Sequence, residues 1–283
     1  MRILIIGANG LLGTDLLDGW AGDEIVPATS RDADIRDLVQ VRRLIAGARP
    51  DWIILAAAYS DVDGSEKDLE LAFAVNRDGT KNVAVEAEEA GAKLFYISTD
   101  YLFNGTSPHP YEPADPIHPL NVYGASKAAG EVAVRETSKN WVIARTSWLF
   151  GASRTCFPEK ILSAADSQSE LRVVDDQIGS PTYTRDLAMA IHKLMHVDAR
   201  GILNVTNSGA CSRFHFAREI LRRAGRTTLI SPITSADAAR PARRPAYSVL
   251  SPAALAAYGI TLRSWQEALE AYLAELRQKG KLR

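Results

Sequence analysis

A chain of 283 residues with 46% hydrophobic content is long enough to bury a large core, as one big α/β domain or one and a half. Its 33 basic and 34 acidic residues nearly cancel, with no basic block of the kind that grips a nucleic acid, so charge names no partner and no nucleic acid is expected. The N-terminal apolar run is too short for a signal peptide or a membrane span, and Cys156 and Cys211 stand as two isolated thiols, so a cytoplasmic protein without membrane attachment or disulfide framework is expected.

Arg2–Ile6 is a short, nearly all-apolar run that leads into Gly7-Ala-Asn9-Gly10-Leu11-Leu12-Gly13, after which Leu16 and Leu17 continue at helical spacing. This reads as strand, glycine turn, helix, with the helix start facing an anion. The spacing is Gly-x-x-Gly-x-x-Gly, and behind a buried strand it predicts a dinucleotide pyrophosphate seat that includes Asn9, Leu11 and Leu12.

A second strand, Glu24–Ala28, ends in Thr29-Ser30-Arg31, where such a fold meets the adenosine ribose. Ser30 and Arg31 suit the extra phosphate of NADPH, while Asp32 and Asp34 leave NADH open. Asp34 and Ile35 are expected to flank the adenine as the chain enters a helix over 36–46. A third strand over 51–58 finishes in Ala57, Ala58 and Tyr59, small residues that leave room for a flat cofactor. A long helix over 66–90, containing Asn76, precedes a strand over 93–98 that ends in Ser98-Thr99-Asp100-Tyr101, a polar cluster at the same edge.

Residues 104–119 form a proline-rich loop, followed by a helix carrying Tyr123 and Lys127 one turn apart on one face. An ammonium beside a phenol lowers the phenol's pKa, which predicts a general acid, and the Thr99 hydroxyl supplies a second donor to the same carbonyl oxygen. A strand over 141–145 then ends in Thr146-Ser147-Trp148. From 152 the rhythm changes: strands over 171–174 and 202–205 alternate with helices over 184–195, 212–224 and 263–279. The expected organisation is a dinucleotide-binding domain over 1–151 and a mainly substrate-binding lobe over 152–283, partly interleaved with it. His192 and His196 share the spacing of a zinc-binding helix but lack its glutamate and third ligand, so they read as a solvated face.

These motifs resemble the extended short-chain dehydrogenase/reductase family, and within it the dTDP-4-dehydrorhamnose reductases. The likeness rests on Ser98-Thr-Asp-Tyr-Leu-Phe-Asn-Gly105, Pro119-Leu-Asn-Val-Tyr-Gly-Ala-Ser-Lys-Ala-Ala-Gly-Glu131, Arg145-Thr-Ser-Trp-Leu-Phe-Gly151, Asp176-Gln-Ile-Gly-Ser-Pro-Thr182 and Arg244-Pro245. It implies a Rossmann-type doubly wound parallel sheet and a catalytic set of Thr99, Tyr123 and Lys127. It further implies NAD(P)H-dependent reduction of the 4-keto group of a nucleotide-diphosphate sugar, dTDP-4-dehydro-L-rhamnose, to dTDP-L-rhamnose. Asn76, Asp100, Tyr101 and Tyr123 are then expected near the sugar, Trp148 against the hexose ring, and Gln177 and Arg244 at the diphosphate.

Two departures fall in substrate-side loops. Gly64 stands where members often carry a lysine, and Ala152-Ser-Arg-Thr-Cys-Phe157 replaces a glycine-rich turn. The acidic residues by which some members bridge subunits through a metal do not map onto the tail, so no metal is expected; a homodimer is left open. The rival readings are a nucleotide-sugar epimerase or dehydratase with tightly held NAD, and a non-catalytic NADP-binding regulatory subunit.

Overall fold

Strand β1 (Arg2–Ile6) lies inside a six-stranded sheet because its side chains are apolar on both faces. Ile3 and Ile5 point into one core with Leu12, Leu187 and Ile191, while Leu4 and Ile6 point into another with Val41, Ile45 and Val83. Such two-sided burial is what a parallel sheet covered by helices requires. The structure, a computed structural model, describes residues 1–18, 20 and 22–282.

Helix α1 (Leu11–Asp15) follows the glycine turn and leads to β2 (Glu24–Ala28), α2 (Leu38–Ala48) and β3 (Trp52–Leu55). α2 starts later than the sequence spacing predicts because Asp37 caps it, accepting from the N–H groups of Val39 and Gln40. β3 is shorter than the expected 51–58: both Ala56 and Ala57 donate their N–H to Ile6 O, at 2.9 Å each, which turns the chain out of the sheet. The expected single helix over 66–90 is instead α3 (Val62–Lys67), α4 (Leu69–Phe73), a π-helical turn at Ala74–Gly79 and α5 (Thr80–Glu89). Asp68 makes the first break by capturing the Leu71 N–H and starting a new helix.

The chain continues through β4 (Lys93–Thr99), α6 (Val122–Thr137), β5 (Trp141–Thr146) and β6 (Leu149–Phe150). Asn121 caps α6, and a buried ion pair between Glu131 and Arg145, 2.7 Å apart, ties α6 to β5. The remainder comprises α7 (Phe157–Ala165), β7 (Glu170–Val174), β8 (Ile178–Gly179), β9 (Thr182–Tyr183), α8 (Thr184–His196), β10 (Gly201–Asn204), β11 (Cys211–Ser212), α9 (Arg213–Arg223), β12 (Leu229–Ile233), α10 (Ser235–Ala238) and α11 (Trp265–Gln278).

The main sheet runs β10-β5-β4-β3-β1-β2, all parallel, so strand order reverses between β1 and β3. This is a Rossmann-type doubly wound architecture. α8 and β10 return to it from the second half of the chain, burying Leu187, Ile191 and Leu203 in the first core. The other C-terminal segments build a separate core around Phe150, Tyr183, Phe216, Trp265 and Tyr272, with β7 paired to β12. Among the described residues no helix is long and apolar enough to cross a membrane.

The reading of His192 and His196 as a solvated face without a third ligand is corrected. Asp23, just ahead of β2, brings its Oδ2 to 2.8 Å from His192 Nε2 and 3.1 Å from His196 Nε2. The contact joins residues too distant in the chain for any local spacing to reveal it.

Candidate active site

A cleft of about 690 Å³ lies along the carboxyl ends of the strands, at the reversal of strand order. One end is floored by the glycine turn. Gly7 sits at φ +95°, and a Cβ there would lie 2.6 Å from Ala57 N; a Cβ at Gly13 would collide with the Gly7 carbonyl oxygen. The turn is closed by Gly10 N–H donating to Gly7 O at 2.9 Å. Asn9, Leu11, Leu12, Ser30, Ala57 and Ala58 line this end as expected. Ser98 and Thr146 line the floor as well, and their hydroxyls are buried without a partner among the described residues.

Several expected cofactor contacts lie elsewhere. Arg31 is exposed outside the cleft wall, and Asp34 is held by Arg36 at 2.6 Å. Ile35 does not face the cleft: its side chain is 6% exposed and packs in the core beneath α2, because the capped helix start turns it inward. Tyr59 lies beside the cleft, its N–H bonded to Asn76 Oδ1 at 2.9 Å. Asn76 itself is corrected from substrate contact to buried strut. Its amide also donates to Tyr59 O and Ser126 Oγ, at 3.0 and 2.9 Å, leaving little to offer a ligand.

Midway along the cleft, β4 delivers Thr99 and α6 delivers Tyr123 and Lys127. Tyr101 packs edge-on to Tyr123, ring centroids 5.6 Å apart. Thr99 Oγ accepts from Tyr101 N–H and donates to Asp100 Oδ1, each at 3.1 Å. Asp100 is buried and also accepts from Ser248 Oγ at 2.6 Å. Burial pushes its carboxyl up to about 6, against the pull of Ser248.

The expected electrostatics of the tyrosine and lysine pair are overturned. Burial raises the Tyr123 phenol above its ordinary value, and burial lowers the Lys127 ammonium to about 7. Lys127 Nζ donates to Ile97 O at 2.7 Å and sits 4.0 Å over the Tyr96 ring. Desolvation dominates both shifts, opposed by Thr99 at the phenol and by Glu131 at the ammonium, and neither group figures in the other's shift. The phenol is therefore held protonated, the form that can give a proton.

At the far end Trp148 lines the cleft with its backbone at φ 47°, a left-handed conformation unusual for so bulky a residue. The Arg213 guanidinium stacks over its ring at 3.6 Å and faces Tyr101 and Asp100. Arg213 was not foreseen, since at the start of α9 it looks like Arg218, Arg222 and Arg223, which point to other surroundings. Arg154 and Thr155, in the departing loop, also reach the wall. Gln177 lies outside it, donating to Ser235 Oγ at 2.9 Å. Arg244 is bound bidentately to Asp63, 2.8 Å on each arm, and this guanidinium holds the Asp63 carboxyl down to about 2. Arg154 and Arg213 thus line the cleft, while Arg244 clamps α3 to the C-terminal loops and reaches Tyr101 from outside the wall.

Comparison with known proteins gives consistent relatives. The family described as RmlD substrate binding domain matches residues 1–278. The spore coat polysaccharide biosynthesis protein SpsK of Bacillus subtilis is 42% identical, covering 97% of each chain. The dTDP-4-dehydrorhamnose reductase of Mycobacterium tuberculosis is 39% identical over 96% of this chain and 92% of its own. A crystal structure of dTDP-4-dehydrorhamnose reductase from Bacillus anthracis in complex with NADP superposes with a TM-score of 0.95, at 40% identity, covering 97% of this chain and 99% of that one. With the glycine turn, the threonine, tyrosine and lysine set and these full-length matches together, the chain belongs to the RmlD substrate binding domain family.

Proposed function

We propose that this protein reduces the 4-keto group of dTDP-4-dehydro-L-rhamnose to give dTDP-L-rhamnose, with NADPH as reductant. The observation that carries the reading is the meeting of Thr99, Tyr123 and Lys127 in one cleft with the Gly7–Gly13 turn. The names of the relatives supply the sugar nucleotide.

The cleft fits a dinucleotide. Its glycine turn admits close approach of a pyrophosphate, and the unpartnered hydroxyls of Ser98 and Thr146 offer hydrogen bonds on the floor. Gly7, Gly10 and Gly13 would seat the pyrophosphate, Ser30 and Arg31 the adenosine ribose and its phosphate, and Lys127 the nicotinamide ribose. When bound, the nicotinamide supplies the hydride that reaches the ketone carbon.

The protein's part is proton delivery and orientation. Tyr123, kept protonated by burial, gives its proton to the carbonyl oxygen as charge develops there, and the phenolate left behind recovers a proton before the next turnover. Thr99 holds one hydroxyl proton that can turn from Asp100 to the same oxygen. Trp148 would pack on the hexose and Arg213 would meet the diphosphate with a planar, charged fork. Residues 152–283 would contribute Arg154, Thr155 and Arg213 to the sugar-nucleotide side, beside Tyr101 and Trp148 from residues 1–151.

The test is spectrophotometric: purified protein with NADPH should lose nicotinamide absorbance on addition of dTDP-4-dehydrorhamnose. No loss with that substrate, under conditions where the protein binds NADPH, removes the proposal.

A further inference from the structure

At the opposite end of the sheet from the cleft, three side chains converge with no part in the chemistry above. Asp23 precedes β2 at the amino-terminal edge of the strands, and His192 and His196 stand one turn apart at the end of α8. Asp23 Oδ2 is 2.8 Å from His192 Nε2 and 3.1 Å from His196 Nε2, and the two Nε2 atoms are 2.9 Å from each other. We propose that these residues form a binding site for one divalent transition-metal ion of the Zn²⁺ class, held by two imidazole nitrogens and one carboxylate oxygen.

Protons alone do not satisfy this triangle. If both Nε2 atoms carry hydrogen, each can donate to Asp23, but the two N–H groups then face each other at 2.9 Å. If one Nε2 lacks hydrogen, it can accept from the other histidine but has nothing to donate to Asp23. At most two of the three contacts are hydrogen bonds at once. A cation at about 2.0–2.2 Å from each ligand atom satisfies all three, because ligands around such an ion stand roughly 3 Å apart.

The surroundings fix the ligands in place. The Asp23 side chain is 2% exposed, and its other oxygen accepts from the Met1 ammonium at 2.6 Å, which aims Oδ2 at the histidines. His192 lies against the Trp20 ring, centroids 4.7 Å apart. His196 is 47% exposed, so one side of the site opens to solvent and leaves room for water as a further ligand. Two imidazoles and a carboxylate suit zinc, cobalt or nickel better than magnesium or calcium, which favour all-oxygen sets. The bound ion joins the last turn of α8 to the β1 and β2 edge, so it acts on stability and leaves the cleft unchanged.

Tag-free full-length protein, freed of metal by chelator and dialysis, is titrated with Zn²⁺ by calorimetry and with Co²⁺ by visible absorption. One ion per chain is expected, with a rise in the thermal unfolding midpoint on adding Zn²⁺. His192→Ala and His196→Gln should each weaken Zn²⁺ by more than the roughly 10–100-fold that loss of an outer-shell partner costs, and should remove the rise in midpoint while NADPH binding stays unchanged. Should His192→Ala fail to fold through loss of its packing on Trp20, the half-exposed His196→Gln decides alone. Absence of stoichiometric Zn²⁺ binding in the wild type, or unchanged affinity in His196→Gln, overturns the site.

Discussion

The two ends of the cleft are built from different material. The end at Gly7–Gly13 is made of main chain and small residues that crowd each other, Gly13 against the Gly7 carbonyl and Gly7 against Ala57. The other end is made of large side chains from separate segments, Trp148 after β5, Arg154 in the next loop and Arg213 at the start of α9. An end built of backbone has no atom to spare, so adding one carbon breaks it. An end built of side chains is broken by removal, and its identity resides in a few guanidinium and aromatic groups.

The largest expected effect falls between the two. Tyr123→Phe removes the proton donor and nothing else of size, so kcat should fall by about 10²–10⁴ with KM for the sugar nucleotide little changed. Steady-state kinetics on NADPH consumption checks this, and near-normal turnover would place the acid elsewhere. The next pair sets the ends against each other. Gly13→Ala forces a Cβ into main chain, a strain of about 1–3 kcal/mol that should weaken NADPH by roughly 10–100-fold in a fluorescence titration. Arg213→Ala should instead raise KM for the sugar nucleotide by about 10–100-fold, the worth of a charge-assisted hydrogen bond, and leave NADPH affinity alone. Arg244→Ala should show the contrast within one residue type. It breaks the pair with Asp63, so it should cost stability between the ~1 kcal/mol of an exposed pair and the ~3–5 of a buried one, read by denaturant unfolding, with a smaller change in KM.

The same contrast explains what could be read from the chain beforehand. The cofactor end is local: a buried strand, a glycine turn and a helix are consecutive, so their spacing carries the geometry. Strand positions followed from apolar runs: six of those runs form the main sheet, while the run at 171–174 pairs with β12 outside it. The long helix over 66–90 failed because Asp68 offers its side chain to the backbone, a local competition that apolar periodicity does not register. Arg213 and Arg244 were the harder case. Both are arginines in loop or helix-start positions, and only the fold decides that Asp63 takes one and the cleft the other. Asp23 and the two histidines are joined by the same kind of long-range meeting. The electrostatics of Tyr123 and Lys127 were misread for another reason: spacing reports proximity, whereas burial sets the pKa.

Lys127 lets that last point be measured. Its folded pKa, about 7, lies below the roughly 10.4 of an unfolded lysine, so between these values the unfolded state binds more protons and stability rises with pH. Below about pH 7 the full penalty of the buried ammonium is present. Lys127→Met should therefore raise the unfolding free energy most below neutrality, by an amount on the order of a few kcal/mol, with the gap closing toward the unfolded pKa, while turnover is lost. Melts across that range without added NADPH decide it; a variant less stable than wild type at every pH would mean the ammonium is better compensated than its burial implies.

The smallest effect sharpens the cofactor end at its rim, where the backbone rule gives way to a side chain. Ser30 lines the cleft and Arg31 stands exposed beside it, with Asp32 already committed to the Thr29 N–H and hydroxyl. An exposed guanidinium reaching a phosphate is screened by water and salt, so its contribution is about 1 kcal/mol or less. Arg31→Ala should weaken NADPH by about fivefold at low ionic strength, less as salt is added, and leave NADH unaffected. Parallel titrations with the two cofactors are the measurement. Equal losses for both would move the ribose phosphate away from Arg31 and leave Ser30 as its contact.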